Sequence, residues 1–381
     1  MDTSYILNHL GEEREQYFNA VAPPLIQSSN FCYKDVNSFR KAIEKEFETP
    51  IYTRGANPTV AILRKKIAAL EGAGDALIFA SGSAAIANAV MSCVKAGDYV
   101  ICVNNPYSWT NALLNNYLVN YNVTATMVDG TRLENFEKAI LPNTKLIVLE
   151  SPNTFTFEVQ DLEAVSKLAK KHGITTMIDN SYSTSLNQKP MAFGIDIVVY
   201  SASKYFGGHS DLVAGIICSS KERIHKIFST EFMTLGAIIS PHDAWLMLRG
   251  IRTLELRVNR SAESAQKVVN HLAKHPKIEK IYYPFSSTNE QLPLAKKQMK
   301  QGGGLLTVLI KAQSVEQIET FCNSLKYFLM AVSWGGHESL IFPVCANKHH
   351  GTLPWNMVRI YIGLEDPNML IADIDNALAK M

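Results

Sequence analysis

Short, wholly apolar runs alternate along this chain with stretches whose apolar residues recur at helical spacing. The alternation sets in at Asn57. Pro58 suits a first helical turn, Val60, Leu63, Ile67 and Leu70 repeat three or four residues apart, and Gly72 can close the helix. Beyond it, Ala76 to Ala80, Tyr99 to Val103, Thr124 to Val128, Lys145 to Leu149, Thr175 to Ile178, Asp196 to Tyr200 and Val213 to Cys218 read as strands. Helical stretches fall between several of them, near Ala84 to Val94, Asn111 to Tyr121, Leu133 to Ile140 and Leu162 to His172. Strands without polar alternation are buried on both faces, so the pattern predicts an α/β fold: a large, mostly parallel sheet covered by helices on either side.

The pattern changes again after Pro241, where a long, charged, helix-compatible stretch runs to about Lys274. Then Lys280 to Tyr283, Leu305 to Ile310 and Val358 to Ile362 read as strands, with helices near Val315 to Leu325 and Met369 to Met381. This predicts a smaller C-terminal α/β domain. Before Asn57, Pro23, Pro24, the polar run Gln27 to Asn30 and the charged segment Lys41 to Glu48 suggest an irregular arm. The expected organisation is an arm over 1–56, a large domain over 57–241 and a C-terminal domain over 242–381.

Length and composition narrow the function. The chain has 381 residues, enough for two or three units at about 150 residues per domain. Its 37 Lys and Arg nearly balance 35 Asp and Glu, so no global field draws it to nucleic acid or anionic lipid, and neither partner is expected. No apolar run reaches the about 20 residues of a bilayer span, and Met1 to Glu13 lacks a basic segment followed by an apolar stretch. A soluble, cytoplasmic protein is expected. The six cysteines (Cys32, Cys93, Cys102, Cys218, Cys322 and Cys345) show no CxxC pair and fit packing better than a disulfide framework. His271 with His275, and the adjacent His349 and His350, lack a third ligand nearby, so no metal site is expected.

In an open α/β sheet, ligands gather at the carboxyl ends of strands, and four features stand where chemistry would be. Ser81-Gly82-Ser83 is a small-residue turn opening a helix, where free amides favour a phosphate, although an ordinary turn reads the same way. It matches neither dinucleotide nor nucleoside triphosphate fingerprints. Asp179-Asn180-Ser181 places a carboxylate after a strand, either to pair with a cationic ligand atom or to cap a turn. Lys204, in Ser201-Ala202-Ser203-Lys204-Tyr205, is either an amine nucleophile of lowered pKa or a lysine reaching to solvent. Arg359, inside an apolar run, either meets an internal acid such as Glu365 or Asp366 or clamps a substrate carboxylate. Together, phosphate turn, acid, lysine and carboxylate clamp are what pyridoxal 5'-phosphate (PLP) needs to act on an amino acid.

The motifs that carry these residues resemble the Cys/Met-metabolism PLP family of trans-sulfuration enzymes. They are Tyr52-Thr53-Arg54 with Asn57-Pro58-Thr59, Ala80-Ser81-Gly82, Glu150-Ser151-Pro152, Ile178-Asp179-Asn180, Ser201 to Tyr205, and Gly208-His209-Ser210-Asp211. Three further stretches, Thr156 to Asp161, Ser333 to Ser339 with Trp334, and Arg359 to Asp366, look most like the bacterial cystathionine β-lyase branch. The resemblance implies an aminotransferase-like, PLP-dependent transferase fold of type I in a homotetramer of close dimers. It implies Lys204 as the lysine bonded to the cofactor, Asp179 against the pyridine nitrogen and Tyr107 stacked on the ring. Gly82, Ser83, Ser201 and Ser203 are implied at the phosphate, joined by Tyr52 and Arg54 from a neighbouring subunit. Arg359, helped by Ser333 and with Trp334 beside it, is implied to hold the substrate.

The expected reaction is β-elimination from cystathionine, or a related cysteine S-conjugate, to homocysteine, pyruvate and ammonia, a step of methionine biosynthesis. The alternatives are cystathionine γ-lyase, cystathionine γ-synthase and methionine γ-lyase. A family member that has lost catalysis and a Rossmann dehydrogenase are weaker rivals. Two departures stand out. Tyr107-Ser108-Trp109-Thr110 replaces the small residue common after the stacking tyrosine, and Ser151-Pro152-Asn153-Thr154-Phe155 stands where many members read Ser-Pro-Thr-Asn-Pro.

Overall fold

A computed structural model describes residues 1–347 and 353–381, so the expectation for His349 and His350 lies outside the described residues. Seven strands form the larger sheet: β1 (Asp75–Phe79), β2 (Tyr99–Val103), β3 (Thr124–Val128), β4 (Thr144–Glu150), β5 (Thr175–Asp179), β6 (Ile197–Ser201) and β7 (Gly215–Ser219). Their order is β1-β7-β6-β5-β4-β2-β3, with β3, β2, β4, β5 and β6 parallel and β7 antiparallel to both β1 and β6.

The apolar runs are explained by two cores. Ile101, Val103, Ile147, Leu149, Val198 and Tyr200 face one core, which the helices Pro58–Glu71, Leu162–Lys171 and Pro241–Ile251 help to build. Val100, Cys102, Leu146, Val148, Ile197 and Val199 face the other, closed by the helix Gly82–Met91. Successive side chains of a strand point to opposite faces, so a strand covered twice is apolar at every position.

The smaller sheet holds β8 (Ile278–Tyr282), β9 (Leu305–Ile310), β10 (Leu329–Met330), β11 (Leu340–Pro343) and β12 (Met357–Tyr361), in the order β10-β11-β12-β9-β8. All neighbours are antiparallel except β10 and β11. The helix Leu254–Leu272 ties the two halves together: Leu254 and Val258 pack in the core of the large sheet, Ala265 to Leu272 in that of the small one.

Several elements differ from the pattern. The arm contains helices at Thr3–Asn8 and Val36–Ile43; the second buries only Ala42, so no apolar stripe marked it, although Asp35 and Ser38 form a capping box. The long stretch after Pro241 is two helices, Pro241–Ile251 and Leu254–Leu272. The expected helix Asn111 to Tyr121 is an α-turn at Ser108–Ala112, a π-turn at Leu113–Tyr117 and a 3₁₀ turn at Leu118–Tyr121, ended by Asn122 in the left-handed region. β10, β11 and the helix Leu292–Gln298 were not visible because each is too short to show a period. Among the described residues no helix is long and apolar enough to cross a membrane.

Candidate active site

The parallel strands β4, β5 and β6 end side by side, and their last residues, Glu150, Asp179 and Ser201, therefore share one edge of the sheet. Ser181 stitches two of them together. Its amide and hydroxyl donate to Asp179 Oδ1 at 2.9 and 2.5 Å, and its Oγ accepts from the Ser201 amide at 2.6 Å. The helix Gly82–Met91 starts beside this edge. Ser81 caps it, Oγ accepting from the Ala84 amide at 3.0 Å and the carbonyl from Ala85, which leaves the Gly82 and Ser83 amides for an outside acceptor. A Cβ on Gly82 would lie 2.9 to 3.0 Å from the Cβ, Cα and Oγ of Ser201. Glycine here lets the helix N-terminus and the Ser201 turn approach as a single cradle suited to an anion.

Lys204 lies in the turn after β6, half-buried, with Nζ 5.7 Å from the centre of the Trp334 ring. Gly335 presses on that turn: its φ is +88°, and a Cβ there would come within 2.8 to 2.9 Å of Tyr205 N and of Lys204 C and Cα. Trp334 also packs edge-on against Tyr205 at 5.6 Å. Burial lowers the Lys204 pKa, the Arg359 charge lowers it further, and Asp179 acts the other way. Burial pushes the Asp179 carboxyl up, against the hydrogen bonds from Ser181 and the charge of Lys204. Lys204 thus senses both Arg359 and Asp179 across one site.

Arg359, on β12, has no ion pair or side-chain hydrogen bond among the described residues, and burial takes its pKa down to about 10. Both internal acids named from sequence are otherwise engaged: Glu365 accepts from Ser339, and Asp366 caps the helix Pro367–Ala379. The guanidinium rests instead against the rings of Phe155, at 5.1 Å, and Phe342, at 5.2 Å. Ser333 is exposed and held at φ +82°, immediately before Trp334.

Tyr107 is 37% exposed, and its amide donates to Glu150 Oε2 at 2.6 Å. Trp109 is 65% exposed and so lies at the surface of the chain, not in its interior. The Ser203 hydroxyl accepts from the Ala214 amide at 3.0 Å and donates to the Ala214 carbonyl at 3.3 Å. Tyr52 and Arg54 stay apart from this cluster: both are exposed, with Arg54 over the Tyr52 ring at 5.7 Å.

Sequence reasoning passed over three residues. Glu150 sits beside Asp179 in register, and burial with that neighbouring charge raises its carboxyl to about 8. In the sequence it appeared as an acid ending an apolar strand and as the first residue of the motif Glu150-Ser151-Pro152, with no role attached. Phe155 showed only as the end of the departure Ser151-Pro152-Asn153-Thr154-Phe155 and Phe342 gave no signal, because the left-handed backbone of Phe155 and the cross-strand position of Phe342 are not written in local periodicity.

A large, mostly parallel sheet with a smaller C-terminal sheet, and lysine, acid and anion cradle at its strand ends, define a PLP-dependent enzyme of fold type I. The chain belongs to the Cys/Met metabolism PLP-dependent enzyme family, whose profile matches residues 3–379. It is 36% identical to L-methionine gamma-lyase of Fusobacterium nucleatum subsp. nucleatum, covering 98% of this chain and 97% of that protein. It is 35% identical to cystathionine gamma-lyase of Bos taurus, covering 97% and 92%. Its fold is similar to the crystal structure of metB from Corynebacterium glutamicum, with a TM-score of 0.93, 32% identity, and coverage of 100% of this chain and 98% of that one. The cofactor is PLP, and the cradle that a Cβ on Gly82 would fill is consistent with its phosphate.

Proposed function

We propose that this protein is a PLP-dependent carbon–sulfur lyase acting on a sulfur amino acid. The observation that carries the reading is Arg359, a half-buried cation that has no acid partner among the described residues and stands close enough to Lys204 to depress its pKa. A free α-carboxylate would supply the missing partner and bring the substrate amine to Lys204. When bound, PLP supplies the electron sink for the pair left on Cα as its proton departs. Lys204 would hold the cofactor and would accept the proton from the substrate Cα. Burial and the Arg359 charge favour the neutral amine that this task needs. Asp179, oriented by Ser181, would face the ring nitrogen and favour its protonated form. Gly82, Ser83, Ser201 and Ser203 would hold the phosphate, and Tyr107, whose amide is fixed by Glu150, would lie against the ring. Tyr52 and Arg54, exposed on one chain, complete the phosphate site of a neighbouring copy in a homotetramer of close dimers.

The γ-lyase names of the curated relatives favour γ-elimination over the β-elimination expected from sequence. One observation keeps β-elimination as a second reading: Trp334, bulky and half-buried, lies over Lys204. The products separate them. Incubation with L-methionine or L-cystathionine should release 2-oxobutyrate with methanethiol or cysteine if the enzyme is a γ-lyase. Pyruvate with homocysteine from L-cystathionine would make it a β-lyase. Absence of any 2-oxo acid or thiol from either substrate would refute the lyase proposal.

A further inference from the structure

Arg359 and Phe342 face each other across β12 and β11 in register, so both side chains leave the same face of the sheet. Phe155 reaches that face from elsewhere, out of the turn that follows β4. Its ring centre is 6.1 Å from that of Phe342, and the guanidinium carbon lies 5.1 and 5.2 Å from the two centres, within the range of cation–π attraction. The turn is in a costly conformation. Phe155 has φ +65°, which a bulky side chain adopts only where its surroundings fix it. Here they do: the Thr154 hydroxyl donates to Glu150 Oε1 at 2.6 Å on one side, and the Thr156 hydroxyl to Asn153 Oδ1 at 2.9 Å on the other.

A stabilising device would not need this arrangement. An arginine serving only packing would pair with an acid or a carbonyl, as Arg257 does with the carbonyls of Tyr205 and Gly250 at 2.8 and 2.7 Å. Arg359 instead has no hydrogen-bond acceptor among the described residues and is offered two ring faces, which attract the cation while leaving its N–H fork open to a ligand. We propose that Phe155, with Phe342, is a positioning residue that orients the Arg359 guanidinium in advance for an α-carboxylate and so sets the enzyme's preference for amino acids over simple amines. The inference deepens the proposed lyase function and rests on Arg359 as the carboxylate clamp. Preorganisation of this kind shows as binding, because the guanidinium need not be ordered when the substrate arrives.

The test is a calorimetric titration of the holoprotein with glycine, which carries amine and carboxylate but no leaving group, and with ethylamine, which lacks the carboxylate. The ratio of their dissociation constants isolates the carboxylate. Phe155→Leu should shrink the preference for glycine about 10-fold, the order expected for losing one desolvated cation–π contact, and Phe155→Tyr should restore it. Phe155→Gly should shrink the preference equally while melting close to wild type, since relief of the left-handed backbone offsets lost packing. An unchanged ratio in folded Phe155→Leu, together with a collapsed ratio in Arg359→Gln, would overturn the role of Phe155 and leave the clamp standing. An unchanged ratio in Arg359→Gln would overturn the clamp itself, and with it the proposed substrate site.

Discussion

Glu71 offers the sharpest pH prediction. It ends the helix Pro58–Glu71 and is 2% exposed. Its Oε2 accepts from the hydroxyl of Tyr200, the residue before Ser201, and Asn180, the residue after Asp179, donates to that same hydroxyl at 3.1 Å. Gln188 continues the chain, donating to Asn180 Oδ1 at 2.9 Å and to the Ser151 carbonyl at 2.7 Å. Burial raises the carboxyl from 4.5 to about 8, although the Tyr200 hydroxyl pulls the other way. The unfolded chain releases this proton near pH 4.5 and the folded one keeps it until about 8. Stability therefore falls as pH rises through that window and levels off above it. At about 1.4 kcal/mol per unit, ionising Glu71 in the fold costs on the order of 5 kcal/mol, roughly 3 of it between pH 6 and pH 9. Glu71→Gln keeps the shape and cannot ionise. Melting curves at fixed protein and cofactor concentration should show the variant gaining roughly 5 °C on wild type between those two pH values, at a couple of degrees per kcal/mol. An offset that stays the same at pH 6 and pH 9 would refute the reasoning.

Other outcomes follow from the same geometry. Gly82→Ala places a Cβ 2.9 Å from Ser201 Cβ, an overpacking of about 1–3 kcal/mol at the cradle. Equilibrium dialysis should show PLP affinity weakened about 10-fold or more; wild-type affinity would remove the cradle from the phosphate. Lys204→Ala should abolish 2-oxo acid formation, and near-wild-type turnover would overturn its role. Asp179→Ala should slow turnover about 100-fold or more in a steady-state assay, and an unchanged rate would release Asp179 from the ring nitrogen.

The large sheet was legible because double burial writes itself into sequence as unbroken apolar runs. Tyr99 to Val103 and Leu305 to Ile310 keep the bounds read from the pattern. The residues proposed to anchor the cofactor were legible for the same reason in reverse: Asp179, Ser201 and Lys204 are the polar residues at or just beyond the end of an apolar strand. Arg359 was visible as a charge inside an apolar run, but whether it met an internal acid depended on contacts more than 180 residues away in sequence, at Phe155. Long-range neighbours also account for Glu150, whose raised pKa comes from burial and from Asp179 on the adjacent strand. The two-residue strand β10 and the arm helix Val36–Ile43 escaped notice because neither buries a periodic face. Nor could the pattern tell that β7 runs against its neighbours, since an apolar strand reads alike in either direction.

The central claim is that the chemistry of this chain runs through Lys204. Borohydride reduction of the purified holoprotein, followed by peptide mass spectrometry, fixes the cofactor to whichever lysine bonds it. The account predicts the label on the peptide containing Lys204 and on no other. A label on a different lysine, or none on a protein that turns over sulfur amino acids, would contradict it.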